Sequence, residues 1–88
     1  MRYEDHCKRC EEELGEPFEK VHKFLDRFAA QFGWSHRKIL HHKYGIEMVR
    51  QFFGEKAKEA AILHIKDDCG GEVPTIEDWA NPDYWLNT

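Results

Sequence analysis

Apolar side chains recur at three- and four-residue intervals along almost all of this 88-residue chain, and glycines at 15, 33, 54 and 70–71 cut the pattern into segments. That period is the mark of helices with one face turned inward. Tyr3, Cys7, Cys10 and Leu14 form the first stripe, which Gly15 ends. Pro17 suits the first turn of a second helix, with the stripe Phe18, Val21, Leu25, Phe28 and Phe32 and a stop at Gly33. Ser35 offers an N-cap hydroxyl to a third helix, whose stripe of Ile39, His42, Ile46, Val49 and Phe53 runs to Gly54. Gly45 inside it costs about 1 kcal/mol relative to alanine, which is worthwhile where a backbone or ligand must come close. A fourth helix is expected from about Glu55 to Asp68, with Ala57, Ala60, Ala61, His64, Ile65 and Asp68 on one face. Thr75 caps a short helical turn through Trp79, Asn81-Pro82 ends it, and Tyr84, Trp85 and Leu86 would lay the tail on the bundle.

No stretch alternates apolar and polar residues, so no sheet is expected. The sequence predicts an all-α fold, a compact four- to five-helix bundle with short connections. It reads as a single helical domain over 1–88, with a short N-terminal helix in 1–15 and a short capping helix and tail in 74–88. A domain of this length buries only about 60–65% of its unfolded surface, so a metal, a dimer interface or dense packing must add stability. A net charge of -4 argues against general nucleic-acid binding. The charge is uneven: residues 34–66 hold seven Lys/Arg against three Asp/Glu, whereas 67–88 hold six acids and no Lys or Arg. No apolar run reaches the roughly 18 residues of a membrane span, and the first residues lack a signal-peptide core. The expected setting is cytoplasmic, where an odd count of three cysteines stays reduced.

Polar groups on inward faces demand a reason, because each costs roughly 2–7 kcal/mol when buried without a partner. His22 and Asp26 are four apart, as are His64 and Asp68, and residues at that spacing stack on one helical face. His42 sits in the apolar stripe of the third helix. Imidazole is a common metal ligand and carboxylates suit harder divalent ions, so His22, Asp26, His42, His64 and Asp68 are candidate ligands for Zn, Mn or Fe. Asp67 is a further candidate. His36 lies about 120° around the helix from His42, and His41 about 100°, so these two are assigned instead to acid–base or phosphate-contacting work. Arg37 and Lys38, near a helix start, could receive a phosphate or simply be solvated. The alternative for each His-x3-Asp pair is local support by hydrogen bonding.

Cys7-x2-Cys10, with His6 and the distant Cys69, offers a second candidate site, for tetrahedral zinc. The same cysteines could equally serve as small hydrophobes in the first stripe.

His36-Arg37…Leu40-His41-His42-x2-Gly45-Ile46, Phe53-Gly54, Ala60-Ala61…His64-Ile65-x2-Asp68 and Val73-Pro74-Thr75…Asp78-Trp79 together resemble a pattern in small uncharacterised prokaryotic and phage proteins grouped as a domain of unknown function. The likeness covers about residues 20–80 and leaves out Cys7-x2-Cys10. It implies a helical domain and brings no activity, substrate or cofactor. A looser likeness is to the HD phosphohydrolases, helical metalloenzymes with a His…His-Asp…Asp ligand set. The chain departs from them in having His41-His42 where a His-Asp dyad would stand, and in being far shorter.

The expectation is a small divalent-metal-binding helical domain, with metal-dependent hydrolysis as its chemistry. The alternative is a non-enzymatic interaction module with a hydrogen-bonded His/Asp core, zinc-stabilised or not, that docks a protein partner or a second copy as a homodimer.

Overall fold

The computed structural model describes residues 2–80, without the side chains of Trp34, Ser35 and Lys38. Helix α1 (Tyr3–Leu14) is followed by α2 (Glu19–Leu25), one-turn α3 (Ala29–Phe32), a 3-10 turn (Gly33–His36), one-turn α4 (Arg37–Leu40), α5 (Lys43–Phe53), α6 (Glu55–Asp68) and α7 (Ile76–Ala80). The described residues form an all-α structure without a strand. None of their helices is long and apolar enough to cross a membrane. The cap expected from the Ser35 side chain and the tail contacts of Tyr84, Trp85 and Leu86 fall outside the described residues.

Helix α6 occupies the middle of the bundle, packed on α5, α2 and α1. Its alanines make this possible. Ala57, Ala60 and Ala61 are buried, and with no bulk beyond Cβ they let the neighbouring helices come close. Gly54 alone joins α5 to α6. Val21 and Leu25 of α2, Ile46 and Val49 of α5, and Ile65 of α6 fill the space between. At about 0.8 kcal/mol per buried CH2, these side chains are the main apolar contribution to stability.

The second and third helices expected from periodicity are each broken. The second stops at Leu25, and Asp26 takes a non-helical φ of -101° and ψ of 10°. Its carboxylate accepts hydrogen bonds from imidazoles, and charge-assisted bonds of about 1.5–3 kcal/mol each outweigh another helical turn. The third helix breaks at His41 and His42. His42 is extended, at φ -155° and ψ 177°, and its Nδ1 accepts the Gly45 N–H, so it caps α5 instead of lying within it. The close approach foreseen at Gly45 is to backbone: a Cβ there would lie 1.7 Å from the Leu40 carbonyl oxygen. These two breaks turn Asp26 and His41 inward.

Helix α7 begins with a reciprocal cap. The Thr75 N–H donates to Asp78 Oδ2 at 2.9 Å and the Asp78 N–H to Thr75 Oγ1 at 3.1 Å. Thr75 is thus the N-cap that the sequence indicates.

Candidate metal centre

Four side chains converge between α2, α4 and α6. His64 projects from the last turns of α6, and Asp68 follows one turn later, so Nε2 and Oδ2 lie 3.3 Å apart. His41, at the C-terminal end of α4, places Nε2 3.1 Å from His64 Nε2 and 2.9 Å from Asp68 Oδ2. Asp26, just past α2, places Oδ1 3.2 Å from His64 Nε2 and 3.5 Å from His41 Nε2. The side chains of His41 and His64 are fully buried, that of Asp68 is 3% exposed, and that of Asp26 is the most open at 26%. Two imidazole nitrogens and two carboxylate oxygens, all potential acceptors, thus crowd one point. Only protons or a cation can hold them there.

The electrostatics agree. Burial alone would raise the Asp26 carboxyl, but hydrogen bonds from His64 and His36 and the nearby His41 hold it at about 2. Asp68 is likewise opposed by burial, yet bonds to His41, His6 and His64 keep it well below the usual carboxylate range. Burial works against a charge on His64, but the bonds to Asp26 and Asp68 prevail and raise its pKa. His41 goes the other way: burial pushes it to about 4 despite its bond to Asp68. Both carboxylates therefore remain charged, balanced by the His64 proton and by Arg37, and a cation that displaced that proton would meet two charged oxygens.

Around this core lie four further groups. His36 closes the side next to Asp26, with Nε2 2.8 Å from Asp26 Oδ1 and Nδ1 2.6 Å from the Gly33 carbonyl. Arg37 approaches Asp68 Oδ1 at 3.7 Å. His22 Nδ1 meets His64 Nδ1 at 2.8 Å. His6 stacks face to face on His64, with ring centroids 3.6 Å apart and planes at 13°, and its Nε2 lies 3.3 Å from Asp68 Oδ1. His6, His22 and His64 have ring nitrogens close enough to suggest a second cluster. Stacked rings aim their lone pairs in parallel, however, so these three do not share a centre.

The predicted residues divide accordingly. Asp26, His64 and Asp68, read as ligands, come together, and His41, read as an acid–base group, joins them as a fourth potential donor. His22, also read as a ligand, stands behind His64. His42 lies apart: its Nε2 faces the Ile39 carbonyl at 2.8 Å and its Nδ1 serves the Gly45 amide, so both nitrogens are committed to the α4–α5 corner. His36 is at the rim. Asp67 turns toward Arg9, at 3.4 Å. Cys7, Cys10 and Cys69 are free thiols and join no ligand cluster among the described residues. Burial pushes Cys10 up to about 11 and Cys69 to about 12, so both rest as thiols among apolar neighbours. The sequence places His6 beside the cysteines, whereas in the fold it stands with the imidazoles. The signal was its register: three after Tyr3 and four before Cys10, on the buried stripe of α1.

A family model for a domain of unknown function, DUF6915, matches residues 1–85. No curated protein and no solved structure matches the chain significantly. The chain belongs to the DUF6915 family.

Proposed function

We propose that this DUF6915 domain binds one divalent metal ion through Asp26 Oδ1, His41 Nε2, His64 Nε2 and Asp68 Oδ2. The supporting observation is the shape of the four-atom group. Five of its six edges measure 2.9–3.5 Å. A regular tetrahedron with edges of that size has its centre about 2.0 Å from each corner, and zinc holds imidazole nitrogen and carboxylate oxygen at roughly 2.0–2.2 Å. Two nitrogens and two oxygens in tetrahedral array favour zinc over manganese or iron, which take more ligands.

Four protein ligands, three of them buried, close the coordination sphere, as in structural zinc sites. The ion would tie the end of α2, the α4–α5 corner and the end of α6 to one point. For a domain of this length, such a tie is a substantial share of folding free energy. One feature leaves room for hydrolytic chemistry. Asp26 is the exposed ligand and His36 holds its carboxylate, so displacement of Asp26 would open a position toward solvent, with His36 placed to move a proton.

The test is elemental analysis of protein purified without a histidine tag, with thermal unfolding before and after chelator. About one equivalent of metal, and a transition that falls on chelation, are expected. His64→Ala and Asp68→Ala should lose the metal, and Cys10→Ala should keep it. Metal-free protein whose transition ignores added zinc would leave the hydrogen-bonded core of an interaction module as the better reading.

A further inference from the structure

We propose that His22 is a positioning residue for this centre: together with the Pro17 carbonyl it fixes which nitrogen of His64 carries the proton. The inference rests on the metal reading above and goes beyond it, since it assigns a role to a group that touches no ion.

A chain of hydrogen bonds runs inward from the backbone to His64. His22 Nε2 lies 2.9 Å from the Pro17 carbonyl oxygen, which can only accept, so Nε2 is the N–H. His22 is fully buried among other imidazoles. A charge on so deeply buried a ring is costly, so its one proton sits on Nε2 and the neutral ring leaves Nδ1 as a bare acceptor. The partner of that acceptor, 2.8 Å away, is His64 Nδ1, which must therefore be the donor. The two rings are within 18° of parallel with centroids 5.1 Å apart, consistent with an in-plane N–H···N bond. With Nδ1 held as N–H, the nitrogen left to bind an ion is Nε2, the one that faces His41, Asp26 and Asp68.

Metal-bound histidines commonly donate their second N–H to a carboxylate or carbonyl. Here an imidazole takes that place and passes the constraint to a backbone carbonyl. A neutral acceptor orients His64 without adding charge to a site that already has two carboxylates. The turn that aims the Pro17 carbonyl at His22 passes through Phe18, at φ 53°, a left-handed conformation that bulky residues seldom adopt. The Phe18 carbonyl in turn accepts the Val21 and His22 amides, at 3.1 and 3.3 Å, which fixes the start of α2 beneath this turn.

The experiment compares the full chain with His22→Gln and His22→Leu. Glutamine can both accept from His64 and donate to Pro17, whereas leucine fills the space and can do neither. Co2+ affinity is read by competition with a chromophoric chelator, ligand geometry by the visible bands of the Co2+ protein, and folding by circular dichroism. His22→Leu should bind Co2+ about 10–100-fold more weakly, the usual effect of losing an outer-shell partner. His22→Gln should recover most of the affinity and the wild-type bands. In addition, 15N spectra of the wild-type Zn2+ protein should show His64 with a protonated Nδ1 and a metal-bound Nε2, a readout that does not depend on any variant folding. The inference is overturned if folded His22→Leu binds like wild type, if His22→Gln is as weak as His22→Leu, or if Nδ1 of His64 is bare. Wild-type protein that binds no Co2+ or Zn2+ overturns the metal reading itself, and this inference with it.

Discussion

Trp79 reaches from α7 to the backbone of His41, its indole Nε1–H donating to the His41 carbonyl at 2.6 Å. That carbonyl sits where α4 ends and cannot continue a helical ladder, so the bond satisfies a group that would otherwise be buried alone. A second link, from the Lys43 amide to the Pro74 carbonyl at 3.2 Å, fastens the same corner. The short helix is therefore a strut that holds His41 in place from behind.

Trp79→Phe tests the strut. The ring is largely kept and the donor is lost, leaving the His41 carbonyl unsatisfied at a cost of about 1–3 kcal/mol. Urea unfolding should report that loss. Metal retention against a chelator should weaken as well, because His41 is then free to shift. Wild-type values in both assays would remove α7 from the account of the site.

Gly45→Ala should be among the most damaging single-methyl changes in the protein. The added Cβ would lie 1.7 Å from the Leu40 carbonyl oxygen and 2.8 Å from its carbon, and both are backbone atoms with no rotamer to escape into. Either α5 moves away or the α4–α5 corner opens, and the caps made by His42 and the placement of His41 go with it. A loss of more than about 2 kcal/mol is expected. Gly15→Ala is the control: φ is +86°, but no atom stands within 4 Å, so only the left-handed penalty of about 1–2 kcal/mol applies. Equal denaturation midpoints for the two variants would refute the close-contact argument.

Why the sequence disclosed the helices but not the corners is a matter of range. The ends of α1 at Gly15 and of α6 at Asp68 are set by local chemistry, and so is the Thr75 cap, so each can be read from neighbouring residues. The breaks at Asp26 and at His41–His42 are set by partners far along the chain. Asp26 leaves the helix to meet His36 and His64, and His64 is 38 residues away. No periodicity encodes that meeting. The His64 and Asp68 pair was legible because both stay on one unbroken helix. His22 and Asp26 look identical in sequence, yet α2 ends between them, so one stands behind His64 and the other before it. His42 departs from its expected place for the same reason: an apolar stripe presumes a helix that its own side chain interrupts. The register of α1 alone puts His6 on the buried face.

Asp68 should prove the least replaceable carboxylate. Its Oδ2 serves His41 and His64, while Oδ1 faces His6 and Arg37. Asp68→Asn keeps the shape but removes the charge and turns an N–H2 group toward groups that are themselves donors or metal ligands. Breaking a buried charged network from one side costs about 3–5 kcal/mol, and the metal should be lost as well. Asp67→Asn, next in sequence but paired with Arg9 near the surface, should cost no more than about 1 kcal/mol and keep the metal. Similar effects from the two changes would contradict the arrangement described for Asp68.

The metal-free protein should have an asymmetric pH profile whose acid limb starts unusually high. His22 and His41 titrate at about 4 in the folded chain and near 6.5 when unfolded. Between those values the unfolded state binds more protons, so stability is full above 6.5 and is lost as pH falls toward 4. Each group contributes a slope of at most about 1.4 kcal/mol per pH unit. Asp26, at about 2 in the folded chain against 3.8 in the unfolded, adds a further loss only below 3.8. His64 has the opposite sign. Its folded pKa is raised, so its contribution is present below 6.5 and declines as pH rises through the raised value. Urea unfolding in chelator from pH 4.5 to 8 should therefore show a maximum near neutrality. His22→Gln, which cannot take up that proton, should flatten the acid limb by about one group's share. A limb that is already flat in the wild-type protein would mean that His22 and His41 do not stay neutral inside the fold.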